Sequence, residues 1–204
     1  MEYLDGYDYG FDKKYCYPKT SVLRNKLNIK KEEFLLEAER NITAVRILQL
    51  KQNPPFGSLD LSYFLKLHQH IFGDIYSWAG KIRVVDIAKG SLFCKSEFIM
   101  ENLEIVFHQI EQERYLTETS EQDMPHRLSY FLSEINAIHP FREGNGRVQR
   151  AYIEILAKRA GYEVDFSDVT KERMVAASIA SFFKEYEQMD EIFKGITKPI
   201  LPRV

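Results

Sequence analysis

Residues 139–150 read HPFREGNGRVQR, and they cut the periodicity of the chain in two. An apolar helical pattern, carried by Leu128, Phe131, Leu132 and Ile135, runs over about residues 121–138 and stops at His139-Pro140. Pro140 has no backbone N–H and disfavours helix at the residue before it. A second helical pattern follows Gly146, with Tyr152, Ile153, Leu156, Ala157 and Ala160 on its apolar side and Gly161 as a C-cap. Between them, Gly144, Asn145 and Gly146 form a turn that can adopt left-handed dihedrals and bring backbone close to a ligand. The N–H groups of the following helix start then make a nest for phosphate.

Two arginines stand at that helix start. A cation in a first helical turn is disfavoured by the dipole, by a few tenths to about 1 kcal/mol. Arg147 and Arg150 are three apart and share a face, so both placements are explained by one anion carrying several charges. Glu143 is oddly placed for phosphate alone, but well placed for a Mg²⁺ that bridges two phosphate groups. His139 is the residue of this loop able to take a proton near neutral pH. Phe141, apolar in a polar loop, is expected to plug into the core and fix the loop from below. Each feature alone is ordinary: a histidine before a helix-stopping proline, a glycine turn, surface arginines, a helix-entry acid. Their conjunction within one loop describes a phosphoryl or nucleotidyl transfer site.

The rest of the chain suits one compact domain of mostly α architecture. It has 204 residues, 45% hydrophobic and 28% charged, and a chain of this length buries roughly 70% of the surface it exposes when unfolded. Lysine and arginine total 28 against 30 acids, so there is no electrostatic reason to expect direct nucleic-acid or membrane binding. The N-terminal MEYLDGYDYGFDKKYCYPKT has no basic start and apolar run of a signal peptide, and no stretch approaches a membrane span. Cys16 and Cys94 show no metal-type spacing and read as thiols of a reducing cytoplasm.

Working outward, residues 1–19 are rich in tyrosine (Tyr3, Tyr7, Tyr9, Tyr15, Tyr17) and read as an extended arm packed on the body, residues 20–196 as the domain and 197–204 as a tail. A helix is expected over about 30–52, with Leu35, Ala38, Ile42 and Val45 on its apolar face, broken by Pro54-Pro55 and Gly57. A second, capped by Ser58 or Asp60, runs to about residue 72. Residues 82–94, IRVVDIAKGSLFC, are β-branched and aromatic around Lys89-Gly90 and predict a small hairpin, which could equally be a structural cover for one end of the bundle. Ile99, Leu103, Val106 and Ile110 mark a further helix, and residues 169–195 two short ones. His68 and His70, two apart on a helix, point to different faces and make a poor metal pair.

At residues 139–150 the chain resembles the Fic family, whose signature is His-Pro-Phe-x-(Asp/Glu)-Gly-Asn-Gly-Arg-x-x-Arg and is matched here at every specified position. YCYPKTSVLRNKLNI, IYSWAGKIRVVDIAKGSLF and VTKERMVAAS are also similar to Fic proteins of bacterial toxin modules and secreted effectors, so the resemblance spans about residues 15–195. It implies a Fic-fold helical bundle and transfer of AMP from ATP to a Ser, Thr or Tyr hydroxyl of a target protein, with release of pyrophosphate. By the resemblance His139 is the general base, Phe141 the loop anchor and Glu143 the Mg²⁺ ligand. Gly144, Asn145 and Gly146 form the anion hole, Asn145 also contacting phosphate, and Arg147 and Arg150 hold the β- and γ-phosphates.

The hairpin corresponds to the family's flap, and Ile82, Arg83, Val84, Val85, Asp86, Ile87, Lys89 and Gly90 would clamp an extended target segment by main-chain pairing. Kinase-like relatives carry Lys where this chain has Gly146, so Gly146 favours AMP transfer. Many members carry an inhibitory Ser/Thr-x-x-x-Glu-Gly/Asn helix. The nearest strings here, TETSEQ at 117–122 and SFFKEY at 181–186, lack the Gly or Asn and lie away from the chain ends. The chain thus resembles the class inhibited by a separate small antitoxin, with Arg150 as its contact. Relatives of that class act on the ATPase subunit of type II topoisomerases, which gives a target expectation. The location implied is the bacterial cytoplasm, or a host cell if the chain is the Fic portion of an injected effector. Transfer of another phosphate-containing group is an alternative, as is a nucleotide-binding interaction module without turnover, which would need neither His139 nor Glu143.

Overall fold

The computed structural model describes residues 12–200. Residues 1–11, with Tyr3, Tyr7 and Tyr9 of the expected arm, and residues 201–204 of the expected tail lie outside these. Seven helices make up the described body: α1 (Glu32–Gln52), α2 (Leu61–Phe72), α3 (Ile99–Gln112), α4 (Met124–Ile138), α5 (Asn145–Arg159), α6 (Lys171–Phe182) and α7 (Glu187–Ile196). Four short strands complete it: β1 (Ala88–Lys89), β2 (Ser91–Leu92), β3 (Tyr162–Val164) and β4 (Thr197–Pro199). The architecture is the mostly α bundle with a hairpin that the periodicity predicts. Among the described residues no helix is long and apolar enough to cross a membrane.

Helix α4 is the centre of the bundle and packs against α3, α5, α6 and α7. Its first turn carries Pro125, where the missing N–H costs nothing, and Leu128, Phe131, Leu132 and Ile135 are buried. Burying side chains of this size is worth roughly 1.5–3 kcal/mol each. Helix α5 returns against α4 and α2 with Val148, Tyr152, Ile153 and Leu156 buried, and the Tyr152 hydroxyl donates to the Leu59 carbonyl at 2.6 Å. The loop joining α4 to α5 is therefore gripped by core on both sides. Of the two residues considered as the α2 cap, Asp60 is the one used, accepting from the Tyr63 N–H at 2.8 Å.

Two features differ from expectation. The periodicity places Val45 on the buried face of α1, yet it is 56% exposed, while Glu39 and Thr43 are buried. These polar residues turn inward because partners wait for them in the core. Secondly, Thr197–Pro199 leave no free tail at that point: they pair antiparallel with β3, Val164 opposite Thr197. Residues 12–19 pack on the body. Tyr15 and Cys16 are buried, and Cys16 bridges Leu23 in an isolated antiparallel contact.

Candidate active site

His139 ends α4 in the left-handed region (φ 50°, ψ 61°), its N–H still donating to Ile135 at 3.1 Å. The imidazole is buried and stacks on Phe93, with ring centroids 3.9 Å apart. Its Nδ1 lies 3.1 Å from the Asn136 carbonyl, an acceptor, so Nδ1 carries the proton and Nε2 the lone pair. Burial pushes the His139 pKa down to about 3, and the positive charges of Arg83 and Lys89 act in the same direction. The ring is a neutral base of fixed tautomer.

Below it the loop is fastened by its own residues. Phe141 is fully buried, stacked on His68 at 3.7 Å and packed on Phe64 at 5.4 Å. The Asn145 amide accepts from the Phe141 N–H and donates to the Phe141 carbonyl, both at 2.8 Å. That side chain, expected to contact phosphate as well, closes the loop with its oxygen and one of its two amide N–H groups. Arg142 is buried and reaches back to Asp12 (3.1 Å) and the Cys16 sulfur (3.6 Å). His68 donates from Nε2 to the Glu143 carbonyl (3.0 Å) and accepts the Gly80 N–H at Nδ1 (2.9 Å). Burial holds its pKa down at about 3, so it too is neutral.

The turn opens α5 at Gly144, with φ +82° and no side-chain cap on the helix. The first-turn N–H groups of such a helix have no intrahelical partner and point at whatever binds there. Glu143 lies beside them, accepting the Gly144 N–H at 2.8 Å. Burial raises the pKa of its carboxyl, and the negative charge of Glu39 raises it further.

The two arginines, alike in sequence, differ in the fold. Arg147 is held by Glu39, donates to the Thr43 hydroxyl (3.2 Å), lies 3.5 Å from Glu143 and sits over the Phe72 ring. Glu39 in turn accepts from the Tyr76 hydroxyl. Arg150 is half-buried and has no hydrogen-bond acceptor among the described residues. Burial lowers its pKa, and Arg147 nearby lowers it further. The site therefore holds the neutral His139 ring, the Glu143 carboxyl, a glycine turn opening a helix, and the Arg150 guanidinium, with the neutral His68 and the Glu39–Arg147 pair behind them.

Of the flap residues, Val84, Asp86, Lys89 and Gly90 are exposed and Ile82 and Val85 half-buried. Arg83 and Ile87 are buried and present no face to a target. The paired part is shorter than 82–94: only Ala88 with Leu92 and Lys89 with Ser91 are in register, around Gly90 at φ +76°. Asp86 fastens the base of the flap, accepting the Ser96 N–H at 2.7 Å, and that bond lowers its pKa.

Glu39, Thr43, Tyr76, His68 and Phe93 belong to the site although nothing in the sequence singles them out for it. A buried acid or hydroxyl on an amphipathic helix has no local signature, since its partners are more than 30 residues away.

A profile described as the Fic/DOC family matches residues 58–157. The chain is 36% identical over 186 residues to the protein adenylyltransferase VbhT of Bartonella schoenbuchensis, covering 91% of this chain and 39% of that protein. It is 40% identical over 169 residues to the probable protein adenylyltransferase y4lH of Sinorhizobium fredii, covering 82% and 86%. Among solved structures, the BepC effector protein of Bartonella tribocorum with bound AMPPNP superposes with a TM-score of 0.86 at 28% identity, over 94% of this chain and 99% of that one. The N-terminal Fic domain of a putative cell filamentation protein from Bartonella quintana with bound ADP gives 0.85 at 31% identity, over 91% and 94%.

Proposed function

Since this chain belongs to the Fic/DOC family, we propose that it is a protein adenylyltransferase, moving AMP from ATP to a Ser, Thr or Tyr hydroxyl of a target protein. The observation that carries this reading is the tautomer of His139, a neutral ring with its proton on Nδ1, beside the Asn136 carbonyl, and its basic lone pair on Nε2. In the proposed step the target oxygen bonds to the α-phosphorus and the bond from that phosphorus to the bridging oxygen breaks. Pyrophosphate leaves, and the hydroxyl proton passes to His139 Nε2. The first-turn N–H groups after Gly144 and the Arg150 guanidinium receive the phosphate charge. Arg147, tied to Glu39, lines the same end. The exposed flap edge at Lys89 and Gly90 receives an extended segment of the target.

Glu143 fits a Mg²⁺ site of the open kind, in which one or two carboxylates and the substrate phosphates share the ion. A buried carboxyl whose pKa is raised by burial and by Glu39 is relieved by a divalent cation. The chemistry that Mg²⁺ supplies there is neutralisation of charge on the departing pyrophosphate.

The finer parts of the proposal are a separate small antitoxin that contacts Arg150, a type II topoisomerase ATPase subunit as target, and action in the bacterial cytoplasm or in a host cell. The BepC match is described as a VirB-translocated effector, which supports the second location.

The test is incubation of the chain with α-phosphate-labelled ATP, Mg²⁺ and a bacterial lysate, beside His139→Ala. Loss of a general base costs about 10²–10⁴ in rate, so label should appear on a discrete protein with the parent chain and vanish with the variant. Label from γ-labelled ATP in its place would point to phosphoryl transfer. Nucleotide binding with no label from either would leave the binding-module reading standing.

A further inference from the structure

We infer that Arg83 is a positioning residue that couples the flap to His139, an inference resting on the proposed role of His139 as base. Arg83 lies in the stretch expected to face a target, yet it is 1% exposed. Its Nε donates to the His139 carbonyl at 2.8 Å and its Nη2 to the Ile138 carbonyl at 3.3 Å. The same Nη2 donates to the Cys94 carbonyl at 2.5 Å, and Nη1 to the Val85 carbonyl at 2.6 Å. The backbone N–H of Arg83 donates to Pro140 at 2.9 Å. One residue thus binds both roots of the hairpin, before β1 and after β2, and three successive carbonyls where α4 passes into the motif loop.

The last carbonyls of a helix have no intrahelical donor, and a cation there answers both them and the dipole. His139 also needs support, because a left-handed residue before a proline is strained and persists only where its surroundings over-determine it. Arginine suits this position because its rigid fork of five donors reaches carbonyls in several directions, whereas a lysine offers three donors from one point. A second contact makes the link mechanical. Phe93, whose N–H donates to Ile87 at 3.1 Å within the flap, lies flat on the His139 ring. A displacement of the flap moves that ring unless Arg83 holds both.

The experiment compares the full chain with Arg83→Gln and Arg83→Lys in three measurements: affinity for a non-hydrolysable ATP analogue with Mg²⁺, ¹⁵N spectra of the histidine rings, and AMP-transfer kcat and KM. Arg83→Gln should leave analogue affinity unchanged, replace the single Nδ1–H form of His139 by a tautomer mixture, and raise KM for the target. Its kcat should fall about 10²-fold, the scale of a roughly 1 Å misplacement at a reacting group. Arg83→Lys should recover part of both the spectrum and kcat. The inference is overturned if kcat falls only in step with analogue affinity, or if the His139 spectrum and kcat stay unchanged. Should Arg83→Gln fail to fold, the Lys variant decides by the same spectrum. A parent chain that transfers no AMP would refute the proposed function, while the ring spectra would still judge the coupling.

Discussion

Gly144 in the motif loop and Gly90 in the flap turn the chain with nearly the same backbone, φ +82° and +76°, but in opposite surroundings. A methyl on Gly144 would lie 2.1 Å from the Phe72 ring, whereas one on Gly90 would meet nothing within 4 Å. The contrast extends to the regions they belong to. The motif loop is fastened from below by Phe141, Asn145, Arg142 and His68, so its geometry is fixed before any ligand arrives. The flap consists of two register pairs with an exposed edge. In the proposed function, chemistry that must be exact in position falls to the first, and recognition that must accommodate a second protein falls to the second.

The largest expected effect comes from breaking this difference at Gly144. Gly144→Ala combines a strained, left-handed φ with a clash against the buried Phe72 ring. Overpacking costs about 1–3 kcal/mol and the left-handed backbone roughly 1–2 more. The variant should unfold well below the parent in a thermal melt and bind no ATP analogue. A melt equal to the parent's would show that the loop is soft after all.

The arginines sharpen the same comparison. Arg147→Ala leaves Glu39 buried without its cation, a loss of about 3–5 kcal/mol measurable by denaturant titration. Arg150→Ala removes a side chain with no acceptor among the described residues, so stability should hold while affinity for the triphosphate analogue falls, at about 1.5–3 kcal/mol per charged hydrogen bond lost. Equal effects of the two variants on stability would refute the distinction.

Two buried neutral histidines set the pH response. The folded pKa values of His68 and His139, about 3, lie below the ordinary 6.5, so the unfolded chain binds more protons on acidification. Their stability is intact above pH 6.5 and is lost as pH falls from there toward 3. Between pH 6.5 and 5 the loss is about 2 kcal/mol per histidine, which paired denaturant titrations would detect. Transfer should keep its rate well below pH 6.5, and Phe93→Ala, which uncovers the His139 ring, should move the acid limb of kcat/KM upward. The smallest effect belongs to Gly90→Ala: about 1 kcal/mol of strain, a melt within a few degrees of the parent, and a raised KM for the target with nucleotide affinity intact.

The helices, their order and the loop chemistry are legible in the sequence because they rest on local signals, periodicity of apolar residues and turn chemistry. The pairing of 162–164 with 197–199 is not, since three-residue strands carry no period of their own and form only when α7 returns the chain to β3. Arg83 escapes a sequence reading for a similar reason. In sequence it belongs to a β-branched run beside the flap turn, and only the fold reveals that its donors meet carbonyls of two segments. Likewise Glu39 and Thr43 look like the solvent side of α1, because Tyr76 and Arg147 lie far along the chain.

The ion pair of Asp12 with Arg142 joins positions 130 residues apart. A ribosome adding ~5–20 residues each second makes the acid wait roughly 6–26 s for its arginine. Assembly of the reactive loop is thus deferred by the order of synthesis. While the nascent chain lacks residue 142 the pair cannot form, and the loop closes only after most of the body has been made.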